Sequence, residues 1–106
     1  MALITTVFTL NSYTDATYTD IVPDVVVFTS ASVIVANTTA GDLDFAIRLV
    51  DGSDVELAIV VPTHTLALGD SVTLDISSLN VPAGTKLQVF GSATGLHFTV
   101  SGVTEV

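Results

Sequence analysis

Two histidines and a scatter of carboxylates are the residues of this chain whose types could do chemistry. His64 follows Pro62 in a Thr-rich connection, and His97 falls on the polar side of an alternating run. A catalytic histidine needs a nucleophile or a carboxylate within hydrogen-bond reach. Ser and Asp are plentiful, yet neither G-x-S-x-G nor H-E-x-x-H occurs, so nothing pairs these groups in a reactive spacing. Both histidines read as solvent-facing or interface residues. Asp42 and Asp44 share one side of a run, and Asp51, Asp54 and Glu56 cluster around a turn. A calcium site needs several oxygens converging on one point, and the D-x-D-x-D-G spacing is missing. The cluster reads as a solvated acidic face. Carboxylate count alone permits a glycosidase pair, but the chain has no Trp to line a sugar platform. No catalytic residue, metal ligand or cofactor-binding residue is assigned, and the chain is not expected to be an enzyme.

Glycines and tyrosines add no site. The seven glycines fall at turns or strand ends and form neither G-x-G-x-x-G nor a P-loop, so no phosphate cradle is expected. Tyr13 and Tyr18 lie in the polar stretch "NSYTDATYTD", which reads either as an arm ordered by a neighbour or as an edge strand.

The elements that would position these residues are strands. Apolar and polar residues alternate with period two in most windows. Leu43, Phe45, Ile47 and Leu49 oppose Asp42, Asp44 and Arg48. Val55, Leu57, Ile59 and Val61 oppose Asp54 and Glu56, and are expected to face inward. Val72, Leu74 and Ile76 oppose Ser71, Thr73 and Asp75. Leu96, Phe98 and Val100 oppose His97, Thr99 and Ser101, and residues 85–90 alternate around Leu87 and Val89. Residues 25–36 are apolar on both sides and read as a central strand. Residues 2–9 and 16–22 complete about eight strands. Gly, Pro, Asn or Asp mark the turns at 22–24, 37–42, 51–53, 68–70, 80–84 and 92–95. That spacing predicts an all-β fold: one antiparallel β-sandwich over 1–106, either a jelly roll or an immunoglobulin-like Greek key, with residues 1–20 as an arm or edge strand. No connection is long enough for a crossover helix.

Parity sharpens one hairpin. Residues opposite each other across an antiparallel pair share a face. A three-residue loop at Asp51-Gly52-Ser53 sets Leu49 against Val55 and Arg48 against Glu56, whereas a two-residue loop would oppose Leu49 and Asp54.

Composition bounds the partners. Eleven Asp and Glu face only Arg48 and Lys86, for a net charge of −9. Nucleic-acid binding needs clustered basic residues, and anionic membranes repel such a chain, so neither partner is expected. An apolar share of 49% excludes disorder. There is no cysteine, so the fold holds without disulfides, in keeping with assembly in a reducing cytoplasm. The opening "MALITTVFTL" reads as the first strand, too short for a signal core or a membrane span. Charged residues make up only 12% of the chain, so the polar surface must be mostly Thr, Ser and Asn. Edge strands normally need blocking, and two basic residues are few gatekeepers. Edges or faces buried against other subunits are the expected consequence.

The run "YTDIVPDVVVFTSASVIVANTTAGDLDFAIRLV" and the run "LALGDSVTLDISSLNVPAGTKLQVFGSATGLHFTVSGV" resemble a group of small tailed-phage virion proteins. The elements that carry the resemblance are Val35 to Thr39, Phe45 to Leu49, Leu68 to Leu74, Val81 to Thr85 and Phe98 to Val103, within residues 17–104. The chain departs from that plan at Pro23-Asp24. The resemblance implies a virion structural protein assembled in a host bacterial cytoplasm. It points first to a head decoration (cement) protein that bridges capsid subunits, with the major capsid protein or other virion proteins as partners and a homo-oligomer, a trimer by preference. A tail or fibre-base adaptor is the alternative within that class. A carbohydrate-binding or adhesive β-sandwich, with a shallow site at Tyr13, Tyr18 or His97, is the alternative outside it.

Overall fold

Alternating residues form strands, and turn residues fold them onto each other. The computed structural model describes residues 3–10, 18–22, 27–74, 79–92 and 95–105. They hold β1 (Leu3–Leu10), β2 (Thr19–Val22), β3 (Val27–Asn37), β4 (Leu43–Asp51), β5 (Glu56–Leu66), β6 (Ser71–Leu74), β7 (Leu79–Val81), β8 (Thr85–Gly91) and β9 (Leu96–Glu105). β7 is the strand that alternation did not reveal, because three residues are too few to show a period. Every pairing is antiparallel.

Two sheets result. Sheet A has the order β1-β9-β3-β6, with β7 also pairing β3; sheet B has the order β2-β8-β4-β5. The pairs β1·β9, β2·β8, β3·β6/β7 and β4·β5 nest as one long hairpin. Rolling that hairpin brings β3 beside β9 and β4 beside β8. This is the jelly roll. An immunoglobulin-like order would set several consecutive strands side by side. Among the described residues, β4 and β5 are the one such pair.

The core lies between the sheets. Phe28, Val33, Val35, Phe98 and Val100 of sheet A meet Val22, Phe45, Ile47, Leu87 and Val89 of sheet B, all fully buried. Burying each such side chain contributes about 1.5–3 kcal/mol relative to exposure. The expected inward sets of β4, β6, β8 and β9 are therefore found, with Ile76 outside the described residues. Two turns also fall where expected. Residues 67–70 and 82–85 each close by a backbone hydrogen bond, with Gly69 and Gly84 at positive φ in the third position, which is the type II turn.

The β4–β5 hairpin departs from expectation. Its loop is Gly52-Ser53-Asp54, one residue later than parity suggested. Asp54 sits in the left-handed region at φ 65°, a conformation that Asp tolerates better than most residues. Asp51 Oδ1 accepts the N–H groups of Ser53 and Val55 and fixes the turn. Val50 faces Glu56, Leu49 faces Ala58 and Arg48 faces Ile59, with three register shifts along the pair. At each shift β5 carries one residue more than β4, and each extra residue flips its parity. Val55, Leu57 and Ile59 are consequently exposed, at 57%, 54% and 47%, rather than inward. Pro62 also lies within β5, not in a connection. It is tolerated there because β5 is an edge strand and a register shift falls beside it.

Candidate functional site

The outer face of sheet B gathers both basic side chains of the molecule. Arg48 on β4 and Gln88 on β8 are register partners, as are Gln88 and Asp20 on β2. Gln88 is only 4% exposed. Arg48 Nε donates to its Oε1 at 2.9 Å, and its Nε2 donates to Asp20 at 2.7 Å and Asp54 at 3.1 Å. These partners fix the orientation of the amide. Lys86 Nζ contacts Asp54 and lies 3.3 Å from Asp20. Arg48 reaches Glu56 at 3.7 Å, so the pairing expected from the sequence exists, although the two residues are not opposite in register. The guanidinium also lies 3.8 Å from the centroid of Tyr18, whose ring packs against Phe90. Cation–π contacts of this kind are attractive by about 0.5–1 kcal/mol where solvent reaches them.

Electrostatics follow the geometry. The hydrogen bond from Lys86 holds the Asp54 carboxyl below its ordinary value. The hydrogen bond to Asp54 raises the Lys86 ammonium above its own. The network satisfies itself: each cation already has anionic or aromatic partners, and it joins β2, the β4–β5 hairpin tip and β8. It is a clasp on the sheet rather than an open reactive site.

The outer face of sheet A is the opposite. Its rows cross the sheet as Thr9–Thr99–Ile34–Thr73, Val7–Ser101–Ser32 and Thr5–Val103–Thr29–Asn80. None of these residues is charged. Ser32 and Ser101 share a hydrogen bond at 2.9 Å, and Thr29 donates to Asn80 at 2.9 Å. Cross-strand pairs of this type contribute about 0.2–1 kcal/mol each. Val7 and Ile34 stand out of it at 60% and 41% exposure.

One end of the sandwich is tied by Asn37, at the end of β3 and 2% exposed. Its Nδ2 donates to the carbonyls of Gly41 and Leu66, and its Oδ1 accepts from the Thr39 N–H and hydroxyl. Its backbone N–H donates to the Asp70 carbonyl. Thr38 donates twice to the Gly95 carbonyl. Gly95 has φ +118°, and a Cβ there would collide with Thr39 Cγ2, so this contact requires glycine.

The residues singled out in the sequence do not converge. His64 is exposed at the β5 edge, its ring 5.7 Å from Phe45 in an edge-on contact. His97 lies on the outer face of sheet A. Tyr18 lies on sheet B, and Tyr13 lies outside the described residues. The proposed Tyr and His sugar site is thus divided between opposite faces. Asp44 accepts from the hydroxyl of its cross-strand partner Thr65, and Asp42 accepts from the Leu68 N–H and anchors the loop after β5. No group of three or more His, Cys, Asp or Glu among the described residues is placed to hold a metal ion. Gln88, Asp20 and Asn37 were missed in the sequence. The available signal was a polar residue wedged into an apolar run, in "KLQVF" and "VIVAN".

No family model matches the chain, and no curated protein matches it. Solved structures do. The chain is similar to one from Bacillus endospore appendages, described as a novel family of disulfide-linked pili, with TM-score 0.55 at 15% identity, covering 98% of this chain and 88% of that one. It is also similar to a chain of infectious bursal disease virus Gx strain, with TM-score 0.45 at 12% identity, covering 96% of this chain and 32% of that one. A third is the C-terminal family 22 carbohydrate-binding module of Clostridium thermocellum Xyn10B, with TM-score 0.45 at 19% identity, covering 79% and 57%. At these identities the likeness is one of fold.

Proposed function

We propose that this chain is a structural building block of a virion, and specifically a decoration protein on the head of a tailed phage. The observation that carries the reading is the outer face of sheet A. It is four strands wide, and its rows from Thr5–Val103–Thr29–Asn80 to Thr9–Thr99–Ile34–Thr73 carry no charge, on a molecule of net charge −9. A chain so acidic can approach another subunit closely only where carboxylates are absent, or where the partner is basic. The resemblance of residues 17–104 to small phage virion proteins adds the particle. The work is geometric. Many copies bridge neighbouring subunits of the major capsid protein, and repeated weak attachment on a lattice gives high total occupancy. The acidic loops suit a basic capsid rim, so attachment is expected to weaken as salt rises. No reaction is assigned to the chain. The pilus subunits to which it is similar are described as disulfide-linked, whereas this chain has no cysteine and must associate without covalent links.

The test is to sediment particles from a source lysate after nuclease treatment and quantify this chain against the major shell protein. A copy number comparable with the shell protein supports decoration. A small fraction of it points to the tail or fibre base. Absence from the particles overturns the virion reading.

A further inference from the structure

A sheet edge is an unpaired row of N–H and C=O groups, and natural proteins block such rows with charge, proline, bulges or shortness. Three of the four edges here are blocked. β5 carries Glu56, Pro62 and three register shifts. β2 has four residues, carries Asp20 and shifts register between Asp20 and Val22. The edge beyond β3 is split between β6, of four residues, and β7, of three. The fourth edge has none of these devices. β1, "LITTVFTL", pairs with β9 through eight consecutive residues without a shift and holds no charge, proline or glycine. Among the described residues nothing pairs with its far side. Ile4 and Val7 are exposed there, at 51% and 60%.

We propose that this edge pairs antiparallel with β1 of a second copy, joining the two A sheets into one continuous sheet across a two-fold axis. Two arguments select a second copy. The first is register. Opposed residues must share a face, so the axis must fall on a residue rather than between two. Centring it on Val7 sets Val7 against Val7 and Thr5 against Thr9, which buries the 60% exposed Val7 side chain against itself. Such an isologous contact closes on itself and does not propagate. The second is charge. Two copies each carry −9, and β1 is a stretch where they can meet without opposing carboxylates. Salt screens the remaining repulsion, so this pairing strengthens as salt rises, opposite in sign to attachment on a basic capsid rim. The inference stands on the edges alone. Particle copy number can fail while the pairing holds, and the reverse.

The test is sedimentation equilibrium of the full chain across concentration and salt. A dimer that tightens with salt is expected. Val7→Lys places like charges opposite each other at the axis and is expected to leave a monomer with unchanged circular dichroism and thermal unfolding. Ile34→Lys, on the same face but in the central strand β3, is expected to leave the dimer intact. Because the chain has no cysteine, Val7→Cys gives a second readout that tolerates weak association. Oxidation is expected to cross-link it into dimers, and Leu57→Cys in β5 is expected not to. A wild-type chain that stays monomeric at its highest soluble concentration overturns the proposal. A dimer indifferent to Val7→Lys but broken by Ile34→Lys overturns it too, by moving the contact from the edge to the face.

Discussion

The two outer faces of this sandwich come from the same alternation but solve opposite problems. On sheet B, Arg48, Lys86, Gln88, Asp20 and Asp54 bind one another, and Tyr18 and Phe90 pack beside them. That network is complete within one molecule. On sheet A, the rows of Thr, Ser, Val and Ile carry no charge, and the β1 edge beside them is unblocked. The contrast teaches where association belongs. A self-neutralised network offers a partner little that it does not already have. Uncharged rows beside an open edge offer backbone hydrogen bonds and apolar contact without charge to desolvate.

The contrast can be broken at several points. Asn37 belongs to neither face and ties the end of β3 to Gly41 and to Leu66 of β5. Asn37→Ala removes four side-chain hydrogen bonds and takes the donor from the buried Leu66 carbonyl, so a loss of about 3 kcal/mol is expected, read as a lower urea midpoint. Gln88→Ala strikes the centre of the sheet B network. It leaves Arg48 Nε without its acceptor, and a loss of about 2 kcal/mol is expected by the same measurement.

Lys86→Met sharpens the comparison through pH. Asp54 is held below its unfolded value, so it adds stability that is present above the ordinary carboxylate range and lost as pH falls through its folded value. Lys86 is raised, so it adds stability that is present below the ordinary lysine range and lost as pH rises through its folded value. Urea midpoints of the wild type are therefore expected to fall at both pH extremes, and the Lys86→Met variant to show shallower limbs at both. The smallest effect belongs to sheet A. Ile34→Thr on its exposed outer face is expected to change monomer stability by no more than about 0.5 kcal/mol. A larger loss in the same unfolding experiment would mean that this face also helps hold the monomer.

Much of this was legible in the sequence. The inward residues of β4, β8 and β9 follow from alternation, and the central place of β3 follows from its two apolar sides. Strand order was not legible, because alternation states which side a residue faces and not which strand lies beside it. The facing of Val55, Leu57 and Ile59 was misread for a related reason. Each extra residue in β5 flips parity, and a bulge leaves little trace beyond Pro62. The contact between Arg48 and Glu56 survived the wrong register because long side chains span the two residues from Arg48 to Val50, the partner of Glu56. The network around Gln88 was hidden since a glutamine between Leu87 and Val89 looks like any outward polar residue. Its meaning depends on β2 and the hairpin tip arriving from elsewhere in the chain.

The most direct test of the division between the faces is amide hydrogen exchange of the wild-type chain at low and at high concentration. Slower exchange at high concentration in Leu3–Leu10, with Glu56–Leu66 unchanged, is the expected result. Protection gained in β5 with none in β1 would contradict the account.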